Sequence, residues 1–150
     1  MYIEELEDMS LVYWLKQQLV EYPFISVVDG YMPDDLIIPS VAVEWDYIEG
    51  YPLELGNRNF AKERVWYIDI FAKTKGQKQA LGYLLFNAVN NGIPVYDYNM
   101  GFPPDVTNQT QLGTLIPLRK KLINREIDPS MVEEMYYRTT LVLIVVYDKF

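Results

Sequence analysis

The chain has 150 residues, half of them apolar, with 21 acidic and 13 basic side chains, a formal charge of −8, and neither histidine nor cysteine. That length and apolar content suit one domain with a sizeable core. The missing residue types remove the commonest acid–base catalyst, the soft metal ligands and disulfide staples, and the acidity disfavours a nucleic-acid groove, which needs clustered Lys and Arg. Aromatic side chains are abundant instead: 13 Tyr, 6 Phe and 3 Trp. Tyr and Trp are the types most enriched at protein–protein contacts, so the composition points to a part that docks.

A helix is predicted over residues 10–21, where Leu11, Trp14, Leu15, Gln18, Leu19 and Tyr22 recur at spacings of three and four. Ser10 or Asp8 is its expected cap and Pro23 its stop. Residues 24–28 suit a short strand, and Asp29-Gly30 a turn. Residues 40–48 alternate, with Val41, Val43, Trp45 and Tyr47 on one face and Ala42, Glu44, Asp46 and Ile48 on the other, as in a strand with one wet side. Residues 49–64, rich in Gly, Asn, Glu and Arg, are expected as a long hairpin connection. Residues 65–73 are largely apolar on both faces, hence a central strand covered at least in part on both sides.

Thr74 to Gln77 fits the capping box T-x-x-Q of a second helix. Ala80, Leu81, Leu84, Leu85, Ala88 and Val89 are its expected buried stripe, Gly82 leaves room for close packing on the sheet, and Asn91-Gly92 ends it. A strand over 93–98, a polar loop over 99–111, a long strand over 112–127 broken or bulged at Pro117, a turn at Asp128-Pro129-Ser130 and a strand over 135–147 complete the chain. The order α-β-β-β-α-β-β-β predicts a single α+β domain over 1–150, with a mainly antiparallel sheet flanked by two helices. No apolar run approaches the roughly 18 residues of a membrane helix. The acidic start, Met1-Tyr2-Ile3-Glu4-Glu5, is unlike a signal peptide, so synthesis in the cytoplasm is expected.

Carboxylates are the only plentiful reactive groups. Glu44, Asp46 and Asp69 could bind a hard cation or act as an acid–base pair, against the plainer expectation of a solvated strand face with Asp69 bonded to a neighbour. Asp34-Asp35 suits a turn. No G-x-S-x-G, G-x-x-x-x-G-K-S/T or G-x-G-x-x-G string is present. Thr74-Lys75-Gly76-Gln77-Lys78 could attract an anion, or simply cap a helix. Arg119-Lys120-Lys121 is the only basic cluster, with a solvated strand end as its plain reading. Tyr96, Tyr98, Phe102, Tyr136, Tyr137 and Phe150 are expected in core or interface packing. No catalytic residue, metal ligand or cofactor site is expected.

Several strings carry a resemblance: Pro39-Ser40-Val41-Ala42-Val43-Glu44-Trp45, Glu54-Leu55-Gly56-Asn57-Arg58, Trp66-Tyr67-Ile68-Asp69-Ile70-Phe71-Ala72, Gly76-Gln77-Lys78 and Ile93-Pro94-Val95-Tyr96-Asp97-Tyr98. Together they resemble the neck and tail-terminator proteins of tailed bacteriophages, a likeness that runs over about residues 39–147. It implies a small α+β virion protein that forms a homo-oligomeric ring, typically a hexamer. Such a ring caps the tail tube and joins it to the connector or adaptor protein of the head. It lets DNA pass without binding it, and it involves no membrane. The loops over 49–64 and 99–111 are then the expected reach to a neighbour, with Glu54, Asn57, Arg58, Phe102, Pro103 and Pro104 as interface candidates. Phe102 would be an apolar anchor, and Arg58 a partner for an acidic neighbour. Two other functions fit the same residues: a carboxylate-based metal-dependent hydrolase on Glu44, Asp46 and Asp69, and a small protein-binding module of the host.

Overall fold

A computed structural model of the chain describes residues 2–30, 39–52, 60–99, 101, 109–125 and 137–149. Helix α1 runs Ile3–Gln18, earlier at both ends than the apolar spacing predicts. Its start mixes acids with the core-packed Ile3 and Leu6. Glu4 and Glu5 lie in the first turn, where the helix dipole favours negative charge. The Tyr2 N–H donates to Glu5 Oε2 at 2.8 Å, closing the helix end. Asp8 and Ser10, the expected caps, therefore sit inside the helix. The buried side chains Leu6, Leu11, Trp14 and Leu15 hold it to the core, and it ends before Pro23 is reached.

Six strands follow: β1 Ser26–Asp29, β2 Ser40–Pro52, β3 Phe60–Ala72, β4 Ile93–Tyr96, β5 Gln111–Arg125 and β6 Tyr137–Lys149, with helix α2, Lys75–Ala88, between β3 and β4. They form one curled, half-barrel sheet in the spatial order β1-β2-β3-β6-β5-β4. The architecture is α+β, with two corrections to the expected one. The sheet is mixed, because β1 lies parallel to β2 while the other four pairings are antiparallel. Of the expected Asp29-Gly30 turn, Asp29 stays in the strand, and Gly30, at φ 93°, donates its N–H to Val43 O at 2.7 Å, which continues the parallel ladder; the residues that follow, 31–38, lie outside the described ones. A 3₁₀ turn at Val89–Asn91 also adds an element between α2 and β4. Gly92 closes that turn at φ 77°, where a Cβ would stand 2.7 Å from Thr114 Cγ2. Only glycine fits that backbone without strain.

The core lies between the helices and one face of the sheet. Leu11 and Leu15 of α1, Leu85 of α2, Ile68 and Ile70 of β3, Leu141 and Leu143 of β6, Ile93 and Leu115 are all fully buried there. The register places Trp66, Ile68 and Ile70 beside Leu143, Leu141 and Thr139, so these side chains share the covered face. β3 is central, as predicted, but its helical cover is one-sided: Tyr67, Asp69 and Phe71 line an open trough on the other face. In β2, Val41 and Val43 are buried as expected. A bulge between Trp45 and Tyr47 then puts Tyr47 opposite Val65, which ends the predicted alternation.

Residues 49–64 are not one long connection. β2 continues to Pro52 and β3 begins at Phe60, with the pairing unbroken from Tyr47↔Val65 to Pro52↔Phe60. The composition misleads here because the buried cation of this stretch is matched by acids of α1. Arg64, 2 % exposed, pairs with Asp8 at 2.9 Å and faces Glu7 at 3.7 Å, while Lys62 bonds Glu4 and Glu7.

α2 starts as predicted, with Gln77 N–H donating to Thr74 Oγ1 at 3.1 Å. The Gln77 side chain accepts from the Lys73 N–H at 3.0 Å, one residue before the cap itself. The buried stripe is rotated from the expected one. It comprises Lys78, Leu81, Gly82, Leu85 and Val89, while Ala80 and Leu84 are exposed. Gly82 sets that rotation: a Cβ there would lie 3.3 Å from Leu122 Cδ2 and 3.4 Å from Thr139 Cγ2, so helix and sheet meet closely. β5 carries the expected irregularity at Pro117, as a register shift between Pro117 and Arg119. The predicted turn at Asp128-Pro129-Ser130 and most of the 99–111 loop lie outside the described residues.

Candidate functional site

Because the strands curl and both helices occupy one face, the other face becomes a trough of about 730 Å³. Alternation delivers its lining. β3 contributes Tyr67, Asp69 and Phe71; β6 contributes Arg138, Thr140, Val142 and Ile144; β5 contributes Arg119, Lys121, Ile123 and Arg125; β2 adds Ala42 and Glu44. Four cations thus face two carboxylates in a chain whose overall charge is strongly negative.

The expected carboxylate trio is split by its neighbours. Asp69 accepts from Arg138 Nε at 3.3 Å, Arg138 Nη2 at 3.0 Å and Thr140 Oγ1 at 2.6 Å. Asp46 accepts from the Tyr67 hydroxyl at 3.1 Å. That bond, and the charge of Asp46, push the Tyr67 phenol above its ordinary range. Glu44 and Asp69 do line the same trough, but no group of three or more acids able to hold a metal occurs among the described residues. Asp69 is engaged as the acceptor of a cross-strand network, as the plainer expectation had it. Asp69→Asn is expected to lower stability by about 1 kcal/mol, the scale of a part-buried charged hydrogen bond. A urea titration measures it, and a nucleotide or phosphodiester hydrolysis that this substitution abolishes would refute the structural role.

The basic cluster is also divided. Lys120 turns to the helix side, where Nζ donates to Phe86 O at 2.7 Å and Asn90 Oδ1 at 2.6 Å, and lies 3.9 Å over the Phe86 ring. It neutralises the C-terminal end of α2, a favourable place for a cation. Arg119 and Lys121 point the opposite way into the trough and form no ion pair among the described residues. Of the candidate anion site at the start of α2, Lys78 is buried and bonded to Asn124, so the capping role is the one the geometry supports.

Comparison with protein-family models and with curated proteins finds no match for this chain.

The interface candidates Glu54, Asn57, Arg58, Phe102, Pro103 and Pro104 all lie outside the described residues. Among the aromatic candidates, Tyr98 is buried and Tyr96 packs edge-on against Tyr13 with ring centroids 6.2 Å apart. Tyr137 is half-buried, and Tyr136 and Phe150 lie outside the described residues.

Exposed apolar side chains form strips that the sequence pattern did not single out. Trp45, Tyr47 and Ile48 are exposed around the β2 bulge, and Ile116 and Leu118 around the β5 bulge. Tyr22, Phe24, Ala80 and Leu84 line a smaller apolar hollow of about 310 Å³ between the end of α1 and α2. The β2 strip was hidden because regular alternation assigned Trp45 and Tyr47 to the buried face. The Pro117 irregularity was the available signal for the β5 strip, since a bulge re-aims the residue it adds.

Proposed function

We propose that this chain is a structural subunit of a homo-oligomeric ring in the neck of a tailed bacteriophage, terminating the tail tube and joining it to the head connector. One observation carries the ring: two separate apolar strips, on β2 and on β5, stand on opposite sides of β3 and β6 in a single sheet. A head-to-tail ring needs two unlike surfaces on each subunit, one for each neighbour, whereas a two-fold dimer uses one surface twice. The placement of the ring in a phage neck rests on the resemblance of the five strings. Six copies and the tail tube and connector as flanking partners follow from the same resemblance. The open trough bears on DNA passage: its four cations are partly balanced by Glu44 and Asp69, and the chain as a whole repels a polyanion at a distance. We expect no catalytic turnover.

Mass spectrometry of purified virions tests the placement. The chain is expected in several copies per particle. A particle that lacks it, or holds one copy, overturns the reading.

A further inference from the structure

Both ends of the sheet are stepped. β1 covers only Ser40 to Val43 of β2, so residues 44–52 have β3 as their sole partner strand among the described residues. β4 covers β5 only as far as Leu115, so residues 116–125 have β6 as their sole partner strand among the described residues. Long edges of this kind, with no second partner strand among the described residues, are templates for a further strand.

The two edges differ in a complementary way. The β2 edge carries Glu44, Asp46 and Glu49 with the exposed Trp45, Tyr47 and Ile48. The β5 edge carries Arg119, Lys121 and Arg125 with Ile116 and Leu118, the last 57 % exposed. Each edge thus offers apolar area and charge of a single sign. Strand direction fits as well. β2, β3, β6 and β5 alternate in direction, so β2 and β5 run opposite ways. A copy rotated about an axis along the strands keeps those directions and brings its β5 antiparallel to the first copy's β2.

We propose that a second copy of this chain is the occupant of each edge. The acidic, aromatic edge of β2 on one copy meets the basic, aliphatic edge of β5 on the next, extending the sheet from subunit to subunit. This rests on the ring reading and names its contact. The apolar strips supply buried area, and the opposite charges set register and exclude the like-with-like pairings β2–β2 and β5–β5.

Two charge-reversed full-length variants test the contact. One carries Arg119→Glu with Lys121→Glu; the other carries Glu44→Lys with Asp46→Lys. Each is compared with wild type by sedimentation velocity at a concentration where wild type is assembled, and by circular dichroism for folding. Each variant alone is expected to be a folded monomer. Mixed in equal amounts they restore the assembly, because the basic β2 edge of one finds the acidic β5 edge of the other. Leu118→Asp, at an exposed position, is a third variant expected to stop assembly without melting the fold. Variants that assemble like wild type, or a mixture that stays monomeric, overturn the edge contact and leave the ring standing on another surface. A monomeric wild type overturns the ring itself.

Discussion

Arg64→Ala is expected to lower folding stability by about 3–5 kcal/mol, because it strips the cation from a buried ion cluster and leaves its partners behind. Arg64 is nearly inaccessible and Glu7 is fully so. Removing the guanidinium takes away the 2.9 Å contact with Asp8, the 3.7 Å contact with Glu7 and the bond from Nη1 to Glu4 O at 3.1 Å. Lys62 remains against Glu7, but among the described residues Asp8 keeps only the Trp66 indole N–H. Burial already pushes the Glu7 and Asp8 carboxyls above their ordinary range, with the attraction of Lys62 and Arg64 opposing it. Glu4 moves the other way: burial raises it, but its backbone hydrogen bond and Lys62 together hold it below the ordinary range.

The pH dependence follows from these directions. A carboxyl whose folded pKa is raised binds its proton more tightly in the folded state. Its contribution is most favourable below its unfolded value and is lost as pH rises through the folded one. Without Arg64 the opposing attraction weakens and the upward shift of Glu7 and Asp8 grows. The stability gap between wild type and Arg64→Ala should therefore widen as pH rises from about 4 towards about 7, starting near the ordinary carboxylate range. Urea titrations across that interval measure it. A gap that is constant, or that narrows, would mean that the carboxylates are not held by Arg64.

Trp66→Ala is the second large effect, about 3–5 kcal/mol for truncating a large aromatic side chain in a close-packed core. Trp66 is the largest of the fully buried side chains. Its indole Nε1–H donates to Asp8 Oδ1 at 3.1 Å, and the Arg64 guanidinium lies 4.3 Å over its ring. The substitution thus opens a cavity and removes a donor and a cation–π contact from the same cluster. The losses from Arg64→Ala and Trp66→Ala should not add. The double variant is expected to fall short of the sum by about 0.5–3 kcal/mol, since each single change already damages the surroundings of the other. Additive losses would mean that Arg64 and Trp66 act independently.

This cluster also shows what the sequence disclosed and what it hid. Strand 65–73 was legible because Trp66, Ile68 and Ile70 alternate without interruption. The cap at Thr74–Gln77, the stop at Gly92 and the irregularity at Pro117 were legible because each depends on local backbone chemistry. The strand extension through Lys62 and Arg64 was not, because its polar residues are satisfied by α1, some sixty residues earlier in the chain. The early start of α1 was hidden in part for the same reason: Ile3, Leu6 and Met9 do reach the core, but the acids between them are matched by Lys62 and Arg64, which lie far off in the chain. The parallel pairing of β1, the rotation of α2 around Gly82 and the division of Arg119-Lys120-Lys121 between two faces depend on tertiary register. No window of neighbouring residues contains that information. Of the candidate site, Asp69 as a bonded neighbour was foreseeable. The open trough and the two stepped edges were not, since they arise from the curl of the sheet and from the shortness of β1 and β4.

We propose that this chain assembles with itself. Its mass in solution, measured by sedimentation equilibrium or native mass spectrometry over a wide concentration range, tests that most directly. One closed species at a fixed multiple of the 17.6 kDa subunit is expected, with six copies. A single 17.6 kDa species at every concentration would contradict it.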